Sequence, residues 1–364
     1  MNKVLFFLLI FCFLTGSRVF ADDSVFEQVD GSHTLQFPRD HGAHPDYSTE
    51  WWYFVGHLKD TQNKTYGFEL TFFRVGIDPE TQSPSNWRHH SIYLTHFALT
   101  DDQNKTFYHD ERSNRGAFSQ AGASESYLKV WNKDWRAELT QEQLMIQAKS
   151  RDFAIDLNLK SMKPLVLHGN EGFSQKGPHP GQASYYSSLT RLNGKGSIRI
   201  GEKEIRLDEA QAWMDHEVTS KGLPENIAGW DWFAIQLDNG EEMMLYQLRT
   251  RDYQKDVFSK GSYIQKDGNV IPLKEDDYSI ESMDTWKSPK SDIVYPNGWK
   301  IKVKKTGHEF RITPTVAAQE LLTEKSTGVN YWEGRCLVEG VWKEQMIEGS
   351  AYVELTGYDK ALRY

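Results

Sequence analysis

Cysteine is nearly missing from this chain of 364 residues: it has two, Cys12 and Cys336. Cys12 falls in an apolar run near the amino terminus, so a mature chain without that run keeps only Cys336 and cannot form an intramolecular disulfide. Long apolar runs are scarce as well. After residues 4–14 none approaches the roughly 20 residues that a membrane-crossing helix needs, so no integral membrane segment is expected once the leader is gone. Basic blocks are absent and the formal charge is -9, which argues against nucleic acid as a partner and against anionic membranes. The sequence also lacks a Gly-x-Ser-x-Gly elbow, a phosphate-binding loop and a dinucleotide fingerprint. Serine-hydrolase chemistry of that kind and nucleotide cofactors are thereby excluded, and no cofactor is expected.

What is present begins with a leader. Met1-Asn2-Lys3 gives a short positive start, residues 4–14 are apolar, and Val19-Phe20-Ala21 offers a small-x-small cleavage site before Asp22. The pattern predicts export, to the periplasm or beyond, with residues 1–21 as signal peptide. Cys12 lacks the small neighbours that lipid attachment requires, so a lipoprotein is not expected. Cleavage removes Lys3 and Arg18 and no acid, moving the formal charge from -9 to -11.

Helical periodicity is rare, whereas alternation is everywhere. In Asp152-Phe153-Ala154-Ile155-Asp156-Leu157-Asn158-Leu159-Lys160 the large apolar residues fall on every second position, as in a strand with one buried face. Turn signals recur at Asn193-Gly194, Gly201-Glu202-Lys203, Asp238-Asn239-Gly240, Asp267-Gly268 and Asn297-Gly298. The one segment that reads as helix is short, residues 316–322. Strands about every ten residues, joined by short turns, predict an all-β chain of antiparallel barrels or sandwiches. With 12 Trp there are flat rings available to line a cavity as well as to fill a core.

The strands are too many for one small barrel. Ser220-Lys221-Gly222-Leu223-Pro224-Glu225-Asn226 interrupts the alternation and divides the chain into 22–220 and 221–364. Asp208-Glu209-Ala210-Gln211-Ala212-Trp213-Met214-Asp215 is echoed by Ile347-Glu348-Gly349-Ser350-Ala351-Tyr352-Val353-Glu354. Each follows a glycine-bearing hairpin and ends with an aromatic and an acid on one strand face, as duplication of a barrel would produce.

Three segments carry candidate chemistry. In Glu50-Trp51-Trp52-Tyr53-Phe54, a strand puts Glu50, Trp52 and Phe54 on one face. A carboxyl against rings loses solvation and gains a raised pKa, fit for proton donation; the same pattern suits an aromatic core strand opened by a turn cap. Across residues 91–100, His96 shares a face with Ile92, Leu94 and Ala98, either as a buried core histidine or as the partner of an acid facing it. In Ala212-Trp213-Met214-Asp215-His216-Glu217-Val218, Asp215 and His216 point to opposite faces of a regular strand and converge only at a bulge or strand end. Gly229-Trp230-Asp231-Trp232-Phe233 then adds a second acid between tryptophans. Such a set serves proton transfer or an interdomain hydrogen-bond network. His41-Gly42-Ala43-His44, with His89-His90 nearby, has a metal-like spacing, but Gly42 and Pro45 argue for loop and no metal is assigned.

These segments resemble a known family. His44-Pro-Asp-Tyr-Ser-Thr-Glu-Trp-Trp-Tyr-Phe, Ala212-Trp-Met-Asp-His-Glu, Gly229-Trp-Asp-Trp-Phe-Ala, Tyr331-Trp-Glu-Gly and Glu354-Leu-Thr-Gly-Tyr are similar to the AttH/CrtC family. That family includes carotenoid 1,2-hydratase (hydroxyneurosporene synthase) and bacterial predicted secreted hydrolases. The resemblance implies two tandem lipocalin-like antiparallel β-barrels. It also implies cofactor-free chemistry in which an acid protonates an alkene, aromatic faces hold the cation and water adds. Asp215 and His216 would be acid and partner, with Glu50 as a further acid. Trp52, His96, Tyr186, Trp230, Asp231 and Trp232 would line the ligand site. The leading expectation is an exported binder of a small apolar, isoprenoid- or lipid-like ligand, held in a barrel or at the interdomain junction. A hydratase or hydrolase, and a structural or interaction protein without a ligand, are the alternatives.

Overall fold

Period-two burial organises the molecule, which is a computed structural model describing residues 26–77 and 90–360. In the Phe153–Ser161 strand, Phe153, Ile155, Leu157 and Leu159 are buried while Asp156, Asn158 and Lys160 are exposed. Each such side chain moved from water into the core contributes about 2 kcal/mol. Among the described residues the only helices are two short 3-10 turns, Arg39–His41 and Glu275–Asp277. The expected signal peptide, residues 1–21, and His89 lie outside the described residues.

The strands form two antiparallel barrel-like sheets. A 13-stranded sheet runs from the Thr49–Asp60 strand to the Lys203–Thr219 strand in sequence, and these two pair with each other along their length. A 10-stranded sheet starts at Ile227–Leu237 and ends at Gln345–Leu355, again with first and last strands paired. Each sheet encloses its own core. Trp52, Phe54, Leu70, Phe97 and Trp135 belong to the first, and Phe233, Ile235, Trp299, Phe310 and Val353 to the second.

A third core lies between the sheets and positions the site. On the Thr49–Asp60 strand, Glu50, Trp52 and Phe54 turn into the first barrel, so Trp51, Tyr53 and Val55 turn outwards to the neighbouring sheet. On Ile227–Leu237, Phe233 and Ile235 fill the second barrel while Trp232 and Ala234 meet the first. Outer faces of both barrels are therefore buried against each other, with Tyr186, Trp213, Tyr246 and Tyr352 among the packed residues. Polar contacts cross the same seam: Lys163 Nζ donates to Glu242 at 2.6 Å, Thr100 Oγ1 to Gln319 at 2.7 Å, and Arg191 pairs with Glu242.

Two sequence expectations fail locally. Residues 316–322 are not helical; Glu320–Leu321 pairs with Trp332 and Tyr331. The ladder prevails because Gln319 is anchored, its carbonyl accepting from Glu333 N–H at 2.9 Å and its side chain from Thr100 and Arg335. Asn193-Gly194 is no turn but the middle of the Ala183–Ile200 strand. A Cβ at Gly194 would lie 1.9 Å from the carbonyl oxygen of Asn158, so glycine serves close strand approach there rather than reversal. Asn239-Gly240 and Asp267-Gly268 do turn, with Gly240 at φ 87 and Gly268 at φ 92.

Candidate active site

The acids and histidines named from sequence separate into different places. Glu50 lies inside the first barrel, fully buried, where His44 Nδ1 stands 2.7 Å and His216 Nε2 2.8 Å from its Oε1, and Arg74 Nε donates to Oε2 at 3.0 Å. Burial opposes its charge, but the hydrogen bonds from His216 and His44 outweigh that and hold Glu50 well below the usual carboxylate range. The expectation of a raised pKa at Glu50 is thus overturned. Rings do surround it, yet His44 six residues before it, and Arg74 and His216 from other strands, bring nitrogen donors to it. Both ring nitrogens of His216 face acceptors, since Nδ1 lies 3.1 Å from the Asp40 carbonyl oxygen, so a proton sits between His216 and Glu50. Trp52 stacks on His216 at 5.0 Å and donates through Nε1 to the His41 carbonyl at 3.0 Å.

His44, Glu50 and His216 group closely enough to surround a cation. Their contacts of 2.7 and 2.8 Å are hydrogen bonds, shorter than the roughly 3.3 Å that two donors keep on one tetrahedral zinc. Arg74 beside Glu50 adds a positive charge to the same spot.

Asp215 points the other way, as strand geometry requires. It does not pair with His216; no bulge interrupts their register opposite Tyr53 and Trp52. Asp215 faces a cavity of about 490 Å³ between the barrels. The cavity is walled by Trp51, Tyr53 and Phe73 from the first sheet and by Trp230, Trp232 and Tyr246 from the second. Four carboxyls share it, Asp215, Glu217, Glu333 and Glu354, with two lysines, Lys176 and Lys221. Asp231 turns from its tryptophan neighbours into the second barrel, where Arg249 Nε donates to it at 3.0 Å and Tyr358 Oη at 2.9 Å. Asp215, His216 and Asp231 therefore do not gather at one point.

The cavity favours neutral carboxyls. Burial pushes Asp215 up to about 7 against hydrogen bonds from Ser188, Tyr186 and Trp213, and the charge of Glu217 adds to the rise. Burial likewise pushes Glu354 up to about 7, against a bond from Trp230 and helped by Glu217 and Asp215. Glu333 is raised well above its usual range by burial and by Glu69 and Glu354 nearby. Glu217 accepts from Lys176 Nζ at 2.9 Å, and that ammonium sits over the rings of Tyr246 and Tyr186 at 4.5 and 5.0 Å. Two acids titrating near neutrality, an aromatic wall and an ion pair make a site that can donate a proton, accept one and face a cation.

Tyr186 acts behind the wall: its Oη donates to Asp215 Oδ2 at 2.5 Å and accepts from Trp232 Nε1 at 3.1 Å. His96 is buried with Nδ1 2.7 Å from Tyr331 Oη and Nε2 2.9 Å from Ser326 Oγ, and burial pulls it down to about 3. It stands behind the cavity wall, against the lining residues Tyr331 and Phe73. Sequence reading assigned no role to Lys176, Glu333 or Glu354. Glu354 had a signal in the repeat that matches it with Asp215, and Glu333 stood in the Tyr331-Trp-Glu-Gly motif without a role; Lys176 had none, because only tertiary packing brings it in.

The sequence pattern of the AttH-like family matches residues 28–358. A crystallised protein assigned to AttH from Nitrosomonas europaea is 32% identical, with a TM-score of 0.81 over 92% of this chain and 100% of that one. Kievitone hydratase from Nectria haematococca shares the fold at 13% identity, with a TM-score of 0.70 over 93% of this chain and 97% of that one. CghA does so at 12% identity and a TM-score of 0.55, over 92% of this chain and 98% of that one. No curated protein matches the sequence.

Proposed function

The chain belongs to the AttH-like family, and from that premise we propose that its interdomain cavity binds a small apolar molecule bearing a carbon–carbon double bond and adds water to it without a cofactor. The observation that carries this reading is the pairing of Asp215 and Glu354, both raised to about 7, within one aromatic-walled cavity. A carboxylic acid protonates the alkene, indole and phenol faces stabilise the cation, and water completes the addition while a carboxylate takes its proton. A neutral acid near pH 7 is the requirement that ordinary Asp and Glu do not meet.

The fold neighbour named kievitone hydratase lends this reading a chemical precedent, and the cavity's rings suit an isoprenoid or a phenolic alkene. The leader at residues 1–21 adds export to the proposal, with the mature chain starting at Asp22.

The test incubates the mature protein with a panel of isoprenoid and prenylated phenolic alkenes and follows gain of one water by mass spectrometry, beside Val75→Trp, which narrows the cavity at its rim. Hydration by wild type that Val75→Trp abolishes supports the proposal. An alkene bound tightly but unchanged would make the protein a carrier, and neither binding nor turnover across the panel would defeat the reading.

A further inference from the structure

Asp215 and Glu354 stand at matching places in the two sheets, yet the protein surrounds them differently. Asp215 is 3% exposed and each of its oxygens is already bonded: Oδ1 accepts from Trp213 Nε1 at 2.5 Å and from Ser188 Oγ, and Oδ2 accepts from Tyr186 Oη at 2.5 Å. Glu354 is half-buried and accepts one hydrogen bond, from Trp230 Nε1 to Oε2 at 2.9 Å. Among the described residues nothing bonds to its Oε1, whereas both oxygens of Asp215 are taken. Since Glu354 lines the cavity, its open oxygen faces whatever the cavity holds.

We propose that Glu354, and not the motif residue Asp215, is the catalytic residue that exchanges a proton with the ligand. The inference rests on the reading of the cavity as an acid site and assigns the roles within it. The Glu354 carboxyl gives its proton to one alkene carbon, forming a C–H bond as the π pair is consumed. Water bonds to the cationic carbon and returns a proton to the Glu354 carboxylate, so the residue ends as it began. Asp215 is a positioning residue: it fixes Tyr186 and through it Trp232, and its charge disfavours ionisation of Glu354. Glu217, Glu333, Lys176 and Lys221 share the cavity with Glu354, and Glu69 lies behind Glu333, so all of them bear on the range over which it titrates.

Esterification by a small aryl diazoacetamide tests this without knowledge of the substrate. A protonated, accessible carboxyl protonates the diazo carbon, dinitrogen leaves and the carboxylate closes an ester, so the reagent reads both properties together. Peptide mapping by mass spectrometry after brief exposure at mildly acidic pH should place the ester on Glu354. Labelling should fall about tenfold per pH unit above neutrality, as the protonated fraction of a single acid does. Glu354→Gln, which keeps an acceptor for Trp230, should lose the ester, and Asp215→Asn should retain it. An ester on Asp215 with none on Glu354 would overturn the inference while leaving the cavity an acid site. No ester on any cavity carboxyl would overturn both.

Discussion

Asp215 and Glu354 face the same cavity from equivalent strands: Asp215 lies opposite Tyr53 in the first sheet, and Glu354 lies opposite Trp232 in the second. Two acids and two aromatic rings thus stand around one space. The consequences are measurable at several levels.

Stability should fall as pH rises across the acid range. Asp215 has an ordinary pKa of 3.8 and is raised to about 7 in the fold, so between those values the folded chain holds a proton that the unfolded chain has lost. Its contribution is fully present below pH 3.8 and is lost as pH rises through about 7, on the order of 4 kcal/mol in all. Asp215→Asn should flatten this part of the profile, as followed by thermal unfolding across that range. An unchanged slope would mean that Asp215 titrates normally.

Glu50→Gln should be the more damaging substitution for folding. It leaves Arg74 buried beside a neutral group and replaces one of the two acceptor oxygens, which serve His44, His216 and Arg74, with an NH2 that faces donors. Loss of one partner from a buried ion network costs about 3–5 kcal/mol. Urea unfolding should show that loss, and Glu354→Gln should cost much less.

Trp230→Phe should move the alkaline limb of any activity or labelling profile, where Glu354 loses its proton, to higher pH. The indole N–H lowers the pKa of Glu354, and phenylalanine removes that hydrogen bond while keeping a ring. A midpoint unmoved or shifted downward would show that the Trp230 contact does not govern Glu354.

Lys176→Met should destabilise the chain by taking from Glu217 its buried ammonium partner, and adding Glu217→Gln should recover much of the loss. A double-mutant cycle in thermal unfolding measures the coupling; simple additivity would mean that the pair is not coupled.

Most of the architecture was legible because period-two alternation is local. The face shared by Glu50, Trp52 and Phe54, and the divergence of Asp215 from His216, follow from the pleat alone. What the sequence could not convey is which partners arrive from elsewhere. Glu50 beside rings reads as a raised acid until Arg74, His44 and His216 come within reach, and then it reads as an ion-network centre. Residues 316–322 have a helical pattern that loses to the hydrogen bonds of Gln319. Glu354 was visible as the echo of Asp215, but its uncommitted oxygen depends on the packing of Trp230 against it.

Mass determination of the mature amino terminus checks the export reading. Expression in a Gram-negative bacterium should yield a chain beginning at Asp22 in the periplasmic fraction; an intact Met1 there, or confinement to the cytoplasm, would remove export from the account.

The account's central claim is that the cavity between the barrels performs proton-coupled addition of water. Turnover of an alkene hit in isotopically labelled water, compared between wild type and the Asp215→Asn/Glu354→Gln double variant, tests it most directly. The account predicts one labelled oxygen per product molecule with wild type and no product with a folded double variant. Equal turnover by the double variant, or product without the label, would contradict it.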